Sequence, residues 1–97
     1  MRIISRKRLI EFWVKHPDAE QPLRAWYTEA KKASWLTPAE VKSLYRNVSV
    51  VGNQRLVFNI KGNDYRLVVL VDYSHSKIFI RFIGTHQEYD QINATKI

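Results

Sequence analysis

The spacing of hydrophobic positions changes near residue 48 and divides the chain into two parts. Before that point, apolar residues recur every three to four positions, as on one face of a helix. From Val48 onward they alternate with polar residues, which is the period of a β-strand. The pattern therefore predicts helices in the first part and strands in the second.

The first part begins with a short predicted strand, MRIIS, which three predicted helices follow. The segment RKRLIEFWVKH forms the first helix and ends near Pro17, and a second helix is expected to open at Pro22. In TPAE, residues 37–40, Thr37 can cap a third helix and the glutamate three positions later can complete a capping box. Tryptophan and tyrosine residues on the helical stripes are expected in the core rather than on a base-stacking surface.

The second part, from Val48 to Gly84, is predicted to be a β-meander with Gly-Asn, Gly-Asn and Ser-His pairs between its strands. After it, THQE at 85–88 is another capping box that predicts a short C-terminal helix. Residues 1–97 thus form one α+β domain in this interpretation. Its small antiparallel sheet, partly mixed because of the leading strand, has the N-terminal helices packed on one face.

Strand register follows from the turns. A turn at Gly62 and Asn63 pairs Phe58 with Leu67, so apolar residues share one face. The polar residues expected on the opposite face are Asn59, Lys61 and Arg66.

The next hairpin is predicted to turn at Ser74 and His75, which places Val68 opposite Arg81. Arg66 and Arg81 then become diagonal neighbours on adjacent strands, about 7–8 Å apart. Two guanidinium groups held by a sheet suit a phosphate group.

Two features of this predicted face allow other interpretations. Asp64 and Asp72 could pair with its cations on a surface that is simply solvated. The apolar residues on it must nevertheless be covered in part, either by a ligand, by a partner chain or by the C-terminal segment of the protein itself. These apolar residues are Val68, Leu70, Phe79 and Ile83.

His86, Tyr89 and Asp90 fall at positions i, i+3 and i+4 of the predicted C-terminal helix and therefore face the same way. Asp90 could orient the imidazole, and Tyr89 could donate a hydrogen bond or stack on a base. The simpler alternative is a short helix whose His86 and Tyr89 side chains pack against the sheet. His16, beside a proline, and His75, in a turn, are expected to be exposed and without a role.

Composition and charge narrow the function. The 97 residues include no cysteine, which excludes disulfides and thiolate metal sites, and the three scattered histidines suggest no metal-ligand set. Sixteen Lys and Arg against nine Asp and Glu give a net charge of +7, which favours a polyanionic partner. RNA supplies its own nucleophile, the 2′-hydroxyl, so its cleavage needs only a base, an acid and cations. No cofactor is expected, and the chain has neither a membrane span nor a signal peptide, which predicts a soluble cytoplasmic protein.

Two motifs, VFNIKGNDYRLVV (57–69) and IRFIGTHQEYD (80–90), follow the opening MRIISRKRL in a basic chain of this length. Together they resemble the HigB toxins of the RelE/ParE-like superfamily, which belong to type II toxin-antitoxin systems. The resemblance covers essentially the whole chain. It implies a small sheet with two helices on one side.

The resemblance also implies a function and partners. The activity would be that of a ribosome-dependent mRNA endoribonuclease, or mRNA interferase, that arrests translation. The partners would be mRNA on the ribosome and a HigA-like helix-turn-helix antitoxin, with operator DNA bound only through the toxin-antitoxin complex. Two alternatives are a non-catalytic RNA- or ribosome-binding module and a gyrase-directed, ParE-like toxin.

Matched onto this sequence, the resemblance implies roles for seven residues. Arg66 and Arg81 would contact the scissile phosphate, and His86 and Tyr89 would act in proton transfer or base stacking. The remaining residues would contact RNA or support these groups, and they are Asn59, Lys61 and Asp90.

Overall fold

The computed structural model describes residues 1–97 as a five-stranded sheet with helices on one face. A 3₁₀ turn at Pro17–Ala19 joins the first two helices. The elements in chain order are β1 (Arg2–Ile4), α1 (Arg6–Lys15), α2 (Glu20–Lys32), α3 (Pro38–Leu44), β2 (Ser49–Val50), β3 (Arg55–Ile60), β4 (Tyr65–Asp72), β5 (Lys77–Thr85) and α4 (His86–Tyr89).

The sheet has the strand order β1-β5-β4-β3-β2. β1 runs parallel to the first residues of β5, and all the other pairs are antiparallel. The predicted α+β class, with a partly mixed sheet and a short C-terminal helix, is therefore confirmed.

The starts of α2 and α3 test two sequence signals, a proline and an N-cap threonine. The Thr37 hydroxyl accepts a hydrogen bond from the backbone N–H of Glu40 at 3.2 Å, as the capping pattern predicted. The second helix, in contrast, begins at Glu20 and not at Pro22. A proline fits within the first turn because the N–H groups of that turn have no partner inside the helix. Pro22 therefore does not mark the first residue of α2.

The main core lies between the helices and the sheet and contains 18 buried residues. Three aromatic side chains meet at its centre: the ring of Phe58 lies 5.9 Å from that of Trp35 and 5.5 Å from that of Trp26. Fully burying one large apolar side chain stabilises a fold by about 1.5–3 kcal/mol. The expectation that these tryptophans belong to the core is confirmed.

Part of the opposite face of the sheet is covered by the C-terminal segment of the chain. Ala94 is buried there against Val57 and Val68, and Phe82, Tyr89 and Ile92 are partly buried around them. The Asn53 side-chain amide donates to the carbonyl of Thr95 at 2.9 Å, which holds the segment in place. Of the three covers considered for this face, the structure thus shows the chain's own C-terminus.

The register predicted for β3 and β4 is confirmed. Phe58 lies opposite Leu67, and Asn59 lies opposite Arg66. The polar residues near the turn fix this register, because a shift of one residue would bury Arg66 and expose Leu67.

The register predicted for β4 and β5 is only half correct. Val69 pairs with Ile80 as expected, but Val68 pairs with Phe82, so Arg81 is an extra residue in a β-bulge. From that point Phe82 faces the C-terminal segment and Ile83 packs against the main core, the reverse of the prediction. Arg66 consequently lies opposite Gly84, three residues beyond Arg81.

None of the helices combines the length and the apolar character that crossing a membrane requires.

Candidate active site

Hydrogen bonds of the backbone and of side chains fix the short helix α4 to the end of β5. The Thr85 hydroxyl accepts from the N–H of Glu88 at 3.1 Å, and the Glu88 carboxylate accepts from the N–H of Thr85 at 2.8 Å. In addition, the N–H of His86 donates to the carbonyl of Asp64 at 3.1 Å. The predicted capping box is confirmed, and it places His86 at the point where β5 ends.

Gly84 allows the chain to pack tightly just before this helix. A Cβ atom there would lie 2.5 Å from Cζ of Phe82 and 3.0 Å from a carboxylate oxygen of Glu88. Carbon atoms normally approach to about 3.5–4.0 Å. Glycine at this position therefore lets the Phe82 ring and the capping glutamate close over the backbone.

The His86 and Asp90 side chains lie side by side, as their spacing predicts. Nδ1 of His86 lies 3.2 Å from Oδ2 of Asp90, and the side chains are 51% and 56% exposed. A carboxylate beside Nδ1 favours the tautomer with the proton on Nδ1. Nε2 then carries the lone pair, and a ligand in solution can reach it.

Tyr89 lies on the C-terminal side of the sheet rather than beside the imidazole. Its ring centroid is 6.5 Å from that of Phe82, and it packs at the edge of the cluster around Val68. The Tyr89 hydroxyl has no hydrogen-bond partner within the protein. The alternative in which this side chain packs against the sheet is therefore confirmed for Tyr89, although its hydroxyl is still available.

Arg66 and Asn59 are brought together at the β3–β4 turn. The Arg66 guanidinium donates to the carbonyls of Asn63 at 3.0 Å and Tyr65 at 3.3 Å, and the Asn59 amide donates to the Asn63 side chain at 3.2 Å. Neither Asp64 nor any other carboxylate forms an ion pair with Arg66. Its remaining N–H groups are free to bind an anion.

The prediction that Lys61 shares a surface with Asn59 is wrong. Its backbone has a φ of 53°, which ends the strand, and its ammonium lies 2.6 Å from Asp18 in the helix layer. A second carboxylate, that of Asp64, lies 3.5 Å away. Alternation along a strand does not continue through a residue with left-handed backbone geometry.

Asp18 connects this turn to the helix layer because it also accepts a hydrogen bond from the Tyr65 hydroxyl. The hydrogen bond from Lys61, followed by that from Tyr65, lowers the pKa of Asp18 below its ordinary value. The hydrogen bond to Asp18 in turn raises the pKa of Lys61. Lys61 is therefore a structural cation as much as a candidate RNA contact.

Arg81 lines a cleft between α1 and the part of β5 that β1 does not reach. We call it the α1–β5 cleft; its volume is about 350 Å³. The Arg8 side chain donates to the carbonyl of Arg81 at 2.7 Å and joins the two walls. The residues lining the cleft are Arg8, Glu11, Phe12, Lys15, His16, Arg81, Phe82, Ile83 and Glu88.

His16 lies in this cleft, and the expectation that it is an exposed bystander is wrong. It is partly buried, its ring stacks on Phe12 with centroids 4.4 Å apart, and it meets the Tyr65 ring edge-on at 5.4 Å. His16 lies four residues after Phe12, so it extends the apolar stripe of α1, a signal that the adjacent Pro17 obscured. His75, in contrast, is exposed in its turn as expected, 2.9 Å from Asp72.

The structure therefore divides the sequence-predicted residues between two neighbouring places. Arg81 lies in the α1–β5 cleft, whereas Arg66 lies at the β3–β4 turn, so the predicted diagonal pair of arginines is wrong. The His86–Asp90 pair lies at the end of β5, in the helix that also supplies Glu88 to the cleft. No three His, Asp or Glu side chains come together as a possible metal-ligand set.

Comparisons with known proteins identify the family of the chain. The chain is 27% identical over 94 residues to the mRNA interferase HigB of Escherichia coli O6:H1, which covers 95% of this chain and 91% of that protein. It is 29% identical over 96 residues to the mRNA interferase toxin HigB of Escherichia coli K12 and to the mRNA interferase HigB of Shigella flexneri, with coverage of 97% and 92%. A model of the HigB toxin family, described as the RelE-like toxic component of a toxin-antitoxin system, matches residues 19–92. Because this match spans more than half of the chain, the protein belongs to the HigB family of RelE-like toxins.

Proposed function

We propose that this protein is a ribosome-dependent, metal-independent endoribonuclease that cleaves mRNA and thereby inhibits translation. Membership of the HigB toxin family, relatives named mRNA interferases and a net charge of +7 support the proposal. The observation that carries the assignment of a site is the exposed His86–Asp90 pair at the end of β5.

In the proposed reaction, Nε2 of His86 removes the proton of the 2′-hydroxyl. The 2′-oxygen then bonds to the adjacent phosphorus, and the bond from phosphorus to the 5′-oxygen of the next nucleotide breaks. That 5′-oxygen takes up a proton from the Tyr89 hydroxyl or from water, which leaves a 2′,3′-cyclic phosphate and a 5′-hydroxyl. Asp90 beside Nδ1 orients the imidazole so that the exposed Nε2 can accept the proton in the first step.

The cations in this proposal stabilise the charge that develops on the phosphate. Arg66 keeps free N–H groups beside its two carbonyl contacts, and Arg81 is exposed at the bulge. Guanidinium groups bind phosphate oxygens in a bidentate manner. Tyr89 would donate a proton through its hydroxyl or stack its ring on a base. Asn59 would contact the flanking backbone on the Arg66 side, and Lys61 would contact it from the helix side of the turn.

We further propose that the protein acts in the cytoplasm and is silenced by a HigA-like antitoxin with a helix-turn-helix domain. The complex would bind operator DNA through the antitoxin alone. Family membership supports an antitoxin partner. Binding of the free toxin to operator DNA, tested by gel shift with and without antitoxin, checks this part of the proposal.

The central test is cell-free translation with purified protein, followed by mapping of 5′ ends on the mRNA. Wild type should create new ends only when ribosomes are present. His86→Gln should slow cleavage by about 10²–10⁴-fold, the usual contribution of a general base. The matched control is His75→Gln, which removes the histidine of the other exposed His-Asp pair and should leave cleavage unchanged.

Three outcomes would contradict the proposal in different ways. Cleavage by His86→Gln at the wild-type rate removes His86 from the chemistry. Arrest of translation without new mRNA ends indicates a non-catalytic ribosome-binding protein. DNA breaks in growing cells, with mRNA intact, indicate a toxin that acts on gyrase.

A further inference from the structure

We propose that the α1–β5 cleft is a second RNA-backbone site, which binds a phosphate next to the one that is cleaved. In this inference, which rests on the proposed function, Arg8 and Lys15 are the phosphate contacts, His16 adds a hydrogen-bond donor, and Arg81 joins the cleft to the scissile phosphate. Arg8, Lys15 and His16, which lie in α1 or directly after it, were not candidates from the sequence. The cleft therefore extends the site beyond the sheet and α4.

The first support is that the cations of the cleft have no carboxylate partner. The protein forms five ion pairs, and they use Arg24, Lys61, His75 and His86. Arg8, Lys15 and Arg81 take part in none of them, although all three converge on one cleft. Like charges this close repel each other, and a bound anion removes that repulsion.

The carboxylates of the cleft do not remove the need for an anion. Glu88 is occupied in the capping box, where it accepts the N–H of Thr85 at 2.8 Å. Glu11 is exposed on α1 and forms no ion pair. Three permanent cations therefore face two carboxylates, one of which is already engaged by a helix N-terminus.

His16 is held rigidly and is chemically free. Phe12 and Tyr65 fix the plane of its ring, and neither ring nitrogen has a hydrogen-bond partner within the protein. The ring is not fully buried and lines the cleft. An imidazole oriented by packing alone can give its N–H to a phosphate oxygen without first breaking another contact.

The size and position of the cleft favour a single RNA strand. Its volume of about 350 Å³ lies at the lower end of the range for small-ligand sites, roughly 300–1,000 Å³, which suits one nucleotide. Phe12, Phe82 and Ile83 supply an apolar wall for a sugar or base. Because Glu88 of α4 also lines the cleft, a strand bound there continues directly towards His86, two residues earlier in the same helix.

The test uses a short single-stranded RNA with 2′-O-methyl groups, which cannot be cleaved, labelled for fluorescence anisotropy. Binding by the full chain is measured over a range of salt concentrations. Each phosphate contact on a single strand contributes about 0.7 to the slope of log affinity against log salt. Lys15→Gln should therefore lower this slope by about 0.7 and weaken binding, and His16→Phe, which keeps a ring in place, should weaken binding as well.

The control variant is Lys7→Gln, which makes the same change of charge on the same helix but outside the cleft. Both lysines are exposed and make no side-chain contact that folding requires. The inference is overturned if Lys7→Gln and Lys15→Gln change the slope equally or if neither changes it.

A second measurement separates this inference from the proposed function. The same variants are assayed for mRNA cleavage in cell-free translation. If the cleft has no role but the protein is a nuclease, all variants bind and cleave like wild type. If the proposed function is wrong, wild type itself produces no new mRNA ends, whatever the binding data show.

Discussion

Replacing Gly84 with alanine tests whether close packing beneath α4 positions the candidate site. The new Cβ would lie 2.5 Å from the Phe82 ring, about 1 Å closer than carbon atoms normally approach. The ring cannot simply move aside, because Tyr89 and the cluster around Val68 hold it. Overpacking of this kind costs about 1–3 kcal/mol of unfolding free energy. In a domain of this size, each kcal/mol lowers the Tm by about 4–8 °C.

The assay is thermal and urea unfolding followed by circular dichroism. Gly52→Ala is the matched control, since a Cβ there meets only Thr95 Cγ2 at 3.7 Å, an ordinary contact. Both substitutions restrict the unfolded chain equally, an effect of about 0.4–1 kcal/mol in favour of folding. We expect Gly52→Ala to be neutral or slightly stabilising and Gly84→Ala to be clearly destabilising.

A double-mutant cycle with Phe82→Leu identifies the cause. Leucine lacks the ring tip that the alanine methyl would strike, so Gly84→Ala should cost much less in the Phe82→Leu background. An equal cost in both backgrounds would refute the packing argument, as would a Gly84→Ala protein as stable as Gly52→Ala.

Two further predictions concern the cap of α4 and the carboxylate that joins the turn to the helix layer. Thr85→Ala should cost about 1 kcal/mol and slow mRNA cleavage because α4 loses its cap, whereas Thr37→Ala should cost a similar amount in urea unfolding without slowing cleavage. The pKa of Asp18 is lowered by Lys61, so its stabilising effect is present above its ordinary pKa and is lost as the pH falls below about 4. Asp18→Asn and Lys61→Met should therefore each reduce the loss of unfolding free energy that occurs as the pH falls below about 4. If both variants lose as much stability as wild type in this pH range, the Asp18–Lys61 pair does not cause the loss.

The sequence was sufficient wherever the pattern of side chains left one solution. The polar positions Asn59 and Arg66 leave one register that buries Phe58 and Leu67, and that register is observed. The caps at Thr37 and Thr85 were equally decisive, because each hydroxyl accepts from the N–H three positions later, although the reciprocal glutamate contact of a capping box forms only at Thr85.

The sequence was insufficient where a single residue interrupts the pattern. In β5 both Phe82 and Ile83 are apolar, so either can face the core and the alternation cannot locate the extra residue at Arg81. Lys61 escaped prediction because its left-handed backbone turns the side chain towards Asp18. His16 escaped because Tyr65, which packs against it, is distant in sequence.

The bulge at Arg81 leaves one position of β5 without a counterpart on the neighbouring strand. The side chain of Arg81 can therefore vary without disturbing the hydrogen bonds between β4 and β5. Phe82, in contrast, is confined by its contact with Tyr89 and by the limited space above Gly84. Selection acting on this one residue can adjust the charge of the α1–β5 cleft while the sheet stays intact. Substrate preference can therefore change during evolution of such a fold without a change in how the fold is stabilised.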